Sequence, residues 1–451
     1  MALSGLDIYK LLPKTNCREC GFPTCLAFAM QLAKKAAAVD KCPYVTEEAK
    51  AALESAGRPP VRLVSIGSGE RKLDIGNETV MFRHEEKFRN PCGIGFIIDD
   101  GMADPEIKKT LRRIHELTFE RVGQKLSVDL IAIRQNSDKK RFCDVVKMVS
   151  GNTACGLVLM TGDKEALQDA LELTKGRKPL VYRLTAENVS SLVETVKRYR
   201  VPVVAASVTL DGLSVLTAEL DKQGITEIVL DTGMKPLVEK IWDMTQIRRL
   251  ALKKSARSLG YPALAVIDKT DRFEECMEAA TYILKYGGIV LLKGTEIWQA
   301  LSLLTLRQNI YSDPQKPLQI EPKIYPVGAV TDSSPALVTT NFSLSYYTVL
   351  SEVEASKVPA YILSVDTEGM SVLTAWAAEK FTPAQISASM KKSGLENMVA
   401  HRNLIIPGYV AVISGELEDA SGWKITVGPK EASGIPSFLK NLYNKPEFVN
   451  S

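Results

Sequence analysis

PLVYRLTAENVSSLVETVKRYRVPVVAA, residues 179–206, is the stretch from which the fold of this 451-residue chain is read. An apolar run at 179–184 is followed by an amphipathic stretch at 189–200 and a second apolar run at 201–206. Short, uniformly apolar runs mark strands buried on both faces, because helices cover both sides of a parallel sheet. The alternation extends outward. GFIIDD (95–100), VDLIAI (128–133) and GLVLMT (156–161) lie upstream; EIVLDT (227–232), ALAVID (263–268) and GIVLLK (288–293) lie downstream. Stretches such as KEALQDALELT (164–174) separate them. Eight strands with intervening helices predict a TIM barrel over 93–311, with a doubly wound sheet as the alternative. A barrel works at its strand C-terminal ends, which here offer Asp99, Asp100, Arg134, Asp231 and Asp268. No pair among them is placed for acid–base work, and an Asp there is as readily a helix cap. The barrel therefore reads as scaffold or docking surface.

Ahead of the barrel stand Cys17, Cys20, Cys25 and Cys42, spaced C-x2-C-x4-C-x16-C with Pro43 after the last. Four thiolates near one Cys–Gly turn are what a [4Fe–4S] cube requires, one per iron. Residues 26–39 are Ala-rich and amphipathic, so a helix is expected to return the chain to its fourth ligand. Structural zinc is the main alternative, although only one C-x2-C knuckle is present. A disulfide pair would need an oxidising compartment. A redox C-x-x-C would follow a strand. The other cysteines, Cys92, Cys143, Cys155 and Cys276, are scattered and read as buried or half-buried free thiols.

Length suggests about three domains. The cluster module is expected over 1–57, ending near GRPP, and a hairpin linker over 58–92, where RLVSIGSGERKLDIGNETVMFR (62–83) alternates around Gly and Asn. Its lone GSG is no dinucleotide fingerprint, since neither a helix nor a third Gly follows. Apolar content of 45% and charged content of 24% are ordinary. A net charge of +4 gives no reason to expect nucleic acid. No apolar run reaches a bilayer span, and MALSGLDIYKLLPK has no apolar signal core. A cytoplasmic protein without membrane contact is expected.

Beyond SDPQKPLQIEPKIYPVG (312–328), read as a Pro-rich linker, a second α/β unit is expected over 325–451. ALVTTNFSLSYYTVLSEVE gives strand, turn and helix, and VPAYILSVDTEGMSVLTAWAAEK gives the same. NLIIPGYVAVISGELE reads as two short strands broken at Pro407-Gly408, and KITVGPKEASGIPSFLKNLY as strand, turn and helix. Loops rich in Thr, Ser and Gly then share the carboxyl edge of an open sheet, where ligands bind. Helix N-termini there suit a large ligand carrying many oxygens.

LPKTNCRECGFPTCLAFA (12–29), TTNFSLSYY (339–347), SVDTEGMSVLTAW (364–376) and GPKEASGIPSF (428–438), in this order, resemble one family along essentially the whole chain. It is the large (gamma) subunit of the corrinoid iron–sulfur protein of the acetyl-CoA decarbonylase/synthase (reductive acetyl-CoA, Wood–Ljungdahl) pathway. The resemblance implies an α/β protein: a TIM barrel between a small N-terminal [4Fe–4S] domain and a C-terminal Rossmann-like (flavodoxin-like) corrinoid-binding domain. It implies a methyl carrier. Cob(I)amide would take a methyl group from methyltetrahydrofolate, or from an archaeal tetrahydropterin, on a separate methyltransferase and deliver it to acetyl-CoA synthase. The cluster would return inactive Co(II) to Co(I), with a reductive activator or ferredoxin as electron source. A smaller barrel subunit would complete a heterodimer. Matching positions imply corrinoid contacts at Thr340, Ser345, Tyr346, Gly369, Met370, Ser371, Val372, Leu373, Thr374, Gly408, Ala432, Ser433 and Gly434. Thr374 is the candidate to face cobalt. Core packing is the plainer reading for Tyr346 and is preferred for Trp376.

Many corrinoid methyltransferases ligate cobalt through the His of D-x-H-x-x-G. None of His84, His115 and His401 lies in such a motif, so the corrinoid is expected base-off without a protein nitrogen. The missing motif keeps a second reading open, an iron–sulfur electron-transfer subunit without corrinoid. A folate-binding methyltransferase barrel is a third, which the strand ends do not support. Because cobalt would serve several partners, the corrinoid domain is expected to pivot between residues 311 and 328, and the cluster module to be mobile.

Overall fold

The computed structural model describes residues 5–33, 36–50, 53 and 59–443. The end of the cluster module expected at residue 57 lies outside them. Contacts divide the chain into two units, Met1–Thr118 with Ser127–Tyr311, and Phe119–Leu126 with Ser312–Ser451. No helix among the described residues is long and apolar enough to cross a membrane.

In the first unit, β1 (Val64–Ile66) and β2 (Leu73–Ile75) form an antiparallel hairpin. The barrel strands are β3 (Gly93–Asp99), β6 (Leu130–Arg134), β7 (Gly156–Met160), β8 (Leu180–Leu184), β9 (Val203–Ala206), β10 (Ile228–Asp231), β11 (Ala263–Val266) and β12 (Gly287–Leu292). They close in sequence order, with β12 pairing parallel to β3. These are the eight runs expected. Ile97, Leu130, Val158, Leu180, Val204, Val229, Leu264 and Ile289 fill the interior. Val64, Ile66, Leu73 and Ile75 of the hairpin join that core. The hairpin is thus a plug rather than a spacer, and Gly67 N–H bonds Lys178 O, at the N-terminal side of β8 (2.9 Å).

Between β3 and β6 the chain makes a second hairpin, β4 (Thr118–Arg121) and β5 (Gln124–Ser127), whose tip belongs to the second unit. Val122 is buried there beside Tyr325 and Tyr346, and its N–H bonds Tyr347 Oη (3.0 Å). Short, largely polar TFER and QKLS carry no strand signal of the kind that revealed the barrel.

The second unit is a five-stranded sheet of β13 (Ile324–Val327), β14 (Ala336–Thr340), β15 (Ala360–Val365), β16 (Asn403–Ile406) and β17 (Lys424–Val427), in the order β13-β15-β14-β16-β17. Four strands are parallel and β13 is an antiparallel edge. Alternate side chains serve two cores. Leu337, Ile362 and Ile405 face helices Ser343–Ser356 and Ile435–Tyr443. Val338, Leu363 and Leu404 pack with Phe381, Ile386, Met390 and Leu417 of the opposite layer. Phe381 is fully buried, so Phe381→Ala should cost about 3–5 kcal/mol, read as an earlier denaturant midpoint of this unit.

Three expectations change. The segment 312–328 is not linker throughout: Ile320 is buried, Ser343 N–H bonds Leu318 O (3.0 Å), and residues 324–327 form β13, with Pro326 tolerated at the sheet edge. YVAVI is no second strand. Residues Gly408–Ile413 form a 3-10 turn because Gly408 N–H turns to Pro429 O (3.1 Å), and a helix, Ser414–Ser421, follows directly. The helix expected over 26–39 runs from Cys25 to Ala33, and Ala36 N–H reaches back to Gln31 O (2.9 Å), a helix-end bond.

Candidate cofactor sites

The cysteine lobe has its own core of Ile8, Leu12, Phe28, Ala29 and Leu53, into which Cys25 and Cys42 are buried. Cys20 packs against it, and Cys17 and Cys20 are half-buried. Asn16, Arg18 and Gly21 adopt φ of 49°, 68° and 81°, curling the backbone around Cys17 and Cys20. Asn16 Oδ1 accepts from Cys25 N–H (2.8 Å), while Asn16 N–H donates to Cys25 Sγ (3.4 Å). Cys25 is the first residue of its helix. Among the described residues no three His, Cys, Asp or Glu side chains converge as one metal ion would require. Cys20, Cys25 and Cys42 meet in one small core, a thiol-only donor set of the kind an iron–sulfur group uses.

The remaining thiols are structural. Cys92, Cys155 and Cys276 are buried, and Cys143 is half-buried. Burial pushes the Cys92 thiol up to about 12.

At the barrel mouth every charged strand end has a partner. Arg134 forks onto Asp99 and reaches Asp268 (3.1 Å), which also meets Lys293 (2.7 Å). Ion pairing and hydrogen bonds from Lys293 and Arg134 outweigh partial burial and hold the Asp268 carboxyl below its usual range. Asp100 accepts from Asn136 N–H (2.8 Å) and Ser137 N–H (3.2 Å). Asp231 is buried between Lys240 (2.6 Å) and the Tyr182 hydroxyl (2.9 Å). These groups hold loops and helices in place, as expected of a scaffold.

In the second unit β14 pairs with β15 along five residues, but with β16 only at Ala336↔Leu404 and Leu337↔Ile405. The strand order reverses between β14 and β16, and beyond Leu337 the two carry no register. A cavity of about 320 Å³ lies there, walled by Leu337, Thr339, Val349, Ile405, Val372 and Ile435. That is the place and the size expected of a ligand site in an open parallel sheet. Its polar side chains are few: Thr339, Ser345, Thr348, Ser371, Tyr409 and Lys430. Thr339 Oγ1 is buried and has no hydrogen-bond partner among the described residues. A buried hydroxyl left unsatisfied is unfavourable, and a ligand oxygen in the cavity would satisfy it.

Of the matched positions, Ser345, Ser371, Val372 and Ala432 line this cavity. Gly408 does not line it but packs closely behind the 428–430 wall, where a Cβ would meet Gly428 O at 2.6 Å. Gly369, at φ 77°, sits in the turn after β15, and Met370 packs on the apolar core. Thr374 bonds Ser371 (2.9 Å), Leu373 is exposed, Ser433 is exposed and Gly434 lies against Pro429. Thr340 and Tyr346 do not line the cavity. Thr340 is buried, and Tyr346 is core, its ring 4.8 Å from that of Tyr325. Trp376 is no core residue; it is 42% exposed, because its six-residue helix lies at the sheet edge. Thr339 and Asn341 were missed, although the period-2 rule applied to TTNFSLSYY separates Thr339 from Thr340.

His401 has both ring nitrogens engaged, Nε2 with Ser334 O (2.9 Å) and Nδ1 with Asn403 N–H (3.3 Å). Ser334 precedes β14 and Asn403 opens β16, so both partners lie at strand N-terminal ends, opposite the cavity.

Residues 63–439 match the family model described as CO dehydrogenase/acetyl-CoA synthase delta subunit, and residues 12–44 match one described as a putative Fe-S cluster. The "corrinoid/iron-sulfur protein large subunit" of Moorella thermoacetica is 44% identical over 441 residues, covering 98% of this chain and 99% of that one. The "acetyl-CoA decarbonylase/synthase complex subunit gamma" of Methanothermobacter thermautotrophicus is 36% identical over 456 residues, covering 98% and 99%. Among solved structures, a dihydropteroate synthase of Xanthomonas albilineans superposes with a TM-score of 0.40 at 14% identity, over 56% of this chain and all of that one.

Proposed function

The chain belongs to the family of corrinoid/iron–sulfur protein large (gamma) subunits of the acetyl-CoA pathway, and from that premise we propose that it carries methyl groups on a corrinoid held by its Rossmann-like C-terminal unit. The observation that carries the reading is the cavity at the β14/β16 switch point, with Thr339 Oγ1 unpartnered in its wall. A bound corrinoid supplies a cobalt that accepts a methyl group from methyltetrahydrofolate on a separate methyltransferase and yields it to acetyl-CoA synthase. The residues do the holding. Apolar walls would take the flat lower base of the cofactor's nucleotide tail, Lys430 would meet its phosphate, and Thr339, Ser345 and Ser371 would bond its oxygens. The 369–374 segment presents backbone groups to the corrin edge. Cys17, Cys20, Cys25 and Cys42 hold a [4Fe–4S] cluster whose electron restores oxidised cobalt. A small subunit, the methyltransferase, acetyl-CoA synthase and a reductive activator or ferredoxin are the partners, in an anaerobic cytoplasm.

The chain passes between the two units at 118–119, 126–127 and 311–312. A pivot of the corrinoid unit therefore involves all three crossings, and residues 318–328 move with it.

Iron, sulfide and cobalt analysis of anaerobically purified protein tests the reading: about four irons and one cobalt per chain are expected. A brown protein without cobalt or corrin absorption would leave only electron transfer. Base-off binding has its own check. With both His401 nitrogens occupied, His401→Ala should leave the paramagnetic resonance of the cobalt(II) form unchanged and free of protein-nitrogen splitting. A triplet splitting that this variant removed would refute it.

A further inference from the structure

Asn341 is a residue that the motif reading passed over, and the geometry around it is unusual for a loop. It stands just past β14 and is 1% exposed. Its amide oxygen accepts from Thr367 N–H (2.9 Å), the Thr367 hydroxyl (3.0 Å) and Gly369 N–H (3.0 Å). Its amide nitrogen donates to Gln319 Oε1 (3.2 Å) and Asp366 Oδ1 (3.1 Å). Its backbone N–H donates to Val365 O (2.8 Å), and its own carbonyl accepts from Ile320 N–H (2.9 Å). One side chain thus gathers the end of β14, the turn after β15 and the incoming 319–320 segment.

The turn it holds is not one the chain adopts readily. Glu368 and Gly369 are consecutive left-handed residues, at φ 55° and 77°. A non-Gly residue there is sterically disfavoured and needs surrounding bonds to persist. Asp366 Oδ1 supplies one, from Glu368 N–H (3.1 Å), and Asn341 supplies the others. Only an amide serves. An aspartate could accept the three bonds but could not donate to Gln319, and it would set a second carboxylate against Asp366. Directly after the turn come Ser371 and Val372, both in the cavity wall.

We propose that Asn341 is a positioning residue for the cofactor. By knotting Thr367 and Gly369 to the end of β14, it fixes the turn whose following residues meet the corrin edge, without touching the cofactor. The proposal rests on the corrinoid reading above.

The test uses the full chain stripped of corrinoid, with hydroxocobalamin and with cobinamide, which lacks the nucleotide tail. Asn341→Ala should speed amide exchange across 366–371 in the ligand-free protein, with β14 and β15 still protected. It should weaken cobinamide by about tenfold, because the ring contacts are lost, and hydroxocobalamin by at least as much, because Ser371 and Val372 also wall the cavity that takes the tail. Asn341→Asp should fall between Ala and the parent. If Asn341→Ala does not fold, Thr367→Val, which deletes one of the knot's bonds, takes its place with a smaller effect in the same direction. Unchanged exchange, unchanged affinities, or a loss confined to hydroxocobalamin would overturn the proposal. Failure of the parent protein itself to bind either corrinoid would instead overturn the reading on which it rests.

Discussion

Cys20→Ala protein purified without oxygen will lose most of its iron and sulfide and keep its cobalt. A cube needs a thiolate at each iron, and Cys20 lies in the tightest part of the ligand loop, directly before Gly21 at φ 81°. The cavity proposed for the corrinoid lies wholly in the other unit, so its occupancy should be unaffected. The variant should therefore still accept a methyl group when reduced chemically, but fail to recover after oxidation by way of its own cluster. Cys143→Ala, removing a half-buried thiol from a barrel helix, is the control and should retain full iron. Zinc at one per chain in the parent protein, or iron unchanged in Cys20→Ala, would contradict the cluster assignment.

Gly408→Val should empty the other site. A Cβ at residue 408 would stand 2.6 Å from Gly428 O, 2.7 Å from Lys430 N and 2.8 Å from the Pro429 carbonyl carbon. All three are main-chain atoms and cannot rotate aside. Overpacking of this kind costs about 1–3 kcal/mol, and here relief comes by pushing out the 428–430 loop. That loop walls the cavity and carries Lys430, so corrinoid affinity should fall at least about tenfold, the equivalent of 1.4 kcal/mol. Gly415→Ala is the matched control. It lies in a helix with nothing within 4 Å of the added carbon and should be neutral or slightly stabilising. Full corrinoid content in Gly408→Val would mean that the cofactor does not use this cavity.

The barrel could be read from sequence because its strands are buried on both faces and so appear as unbroken apolar runs. Val203–Ala206 and Gly156–Met160 are buried at every position. Elements that lean on one neighbour carry no such mark. The β4–β5 hairpin is short and largely polar, and its one deeply buried tip residue, Val122, packs on residues two hundred positions away. In IYPV the proline argued against a strand, yet an edge position tolerates it. YVAVI has the composition of a strand but no partner to pair with, and Val412 is 73% exposed.

The sites were legible to different depths. The four cysteines declare themselves by spacing. The loops of the second unit lie at the carboxyl edge of its parallel strands, but the TTNFSLSYY motif does not by itself separate Thr339 from Thr340. Strand alternation sends one to the cavity and the other away from it. Asn341 was invisible because its role lies in bonds to residues 319 and 366–369, which adjoin it only after folding.

Methyl carriage is tested most directly by a single turnover of the reduced holoprotein with carbon-14-labelled methyltetrahydrofolate and the methyltransferase. The account predicts that label leaves the folate and travels with the protein-bound corrinoid, about one methyl group per cobalt. It then passes into acetyl-CoA when acetyl-CoA synthase, CO and coenzyme A are added. Label that stays on the folate, with reduced corrinoid present and the methyltransferase active on a free corrinoid, would contradict the account.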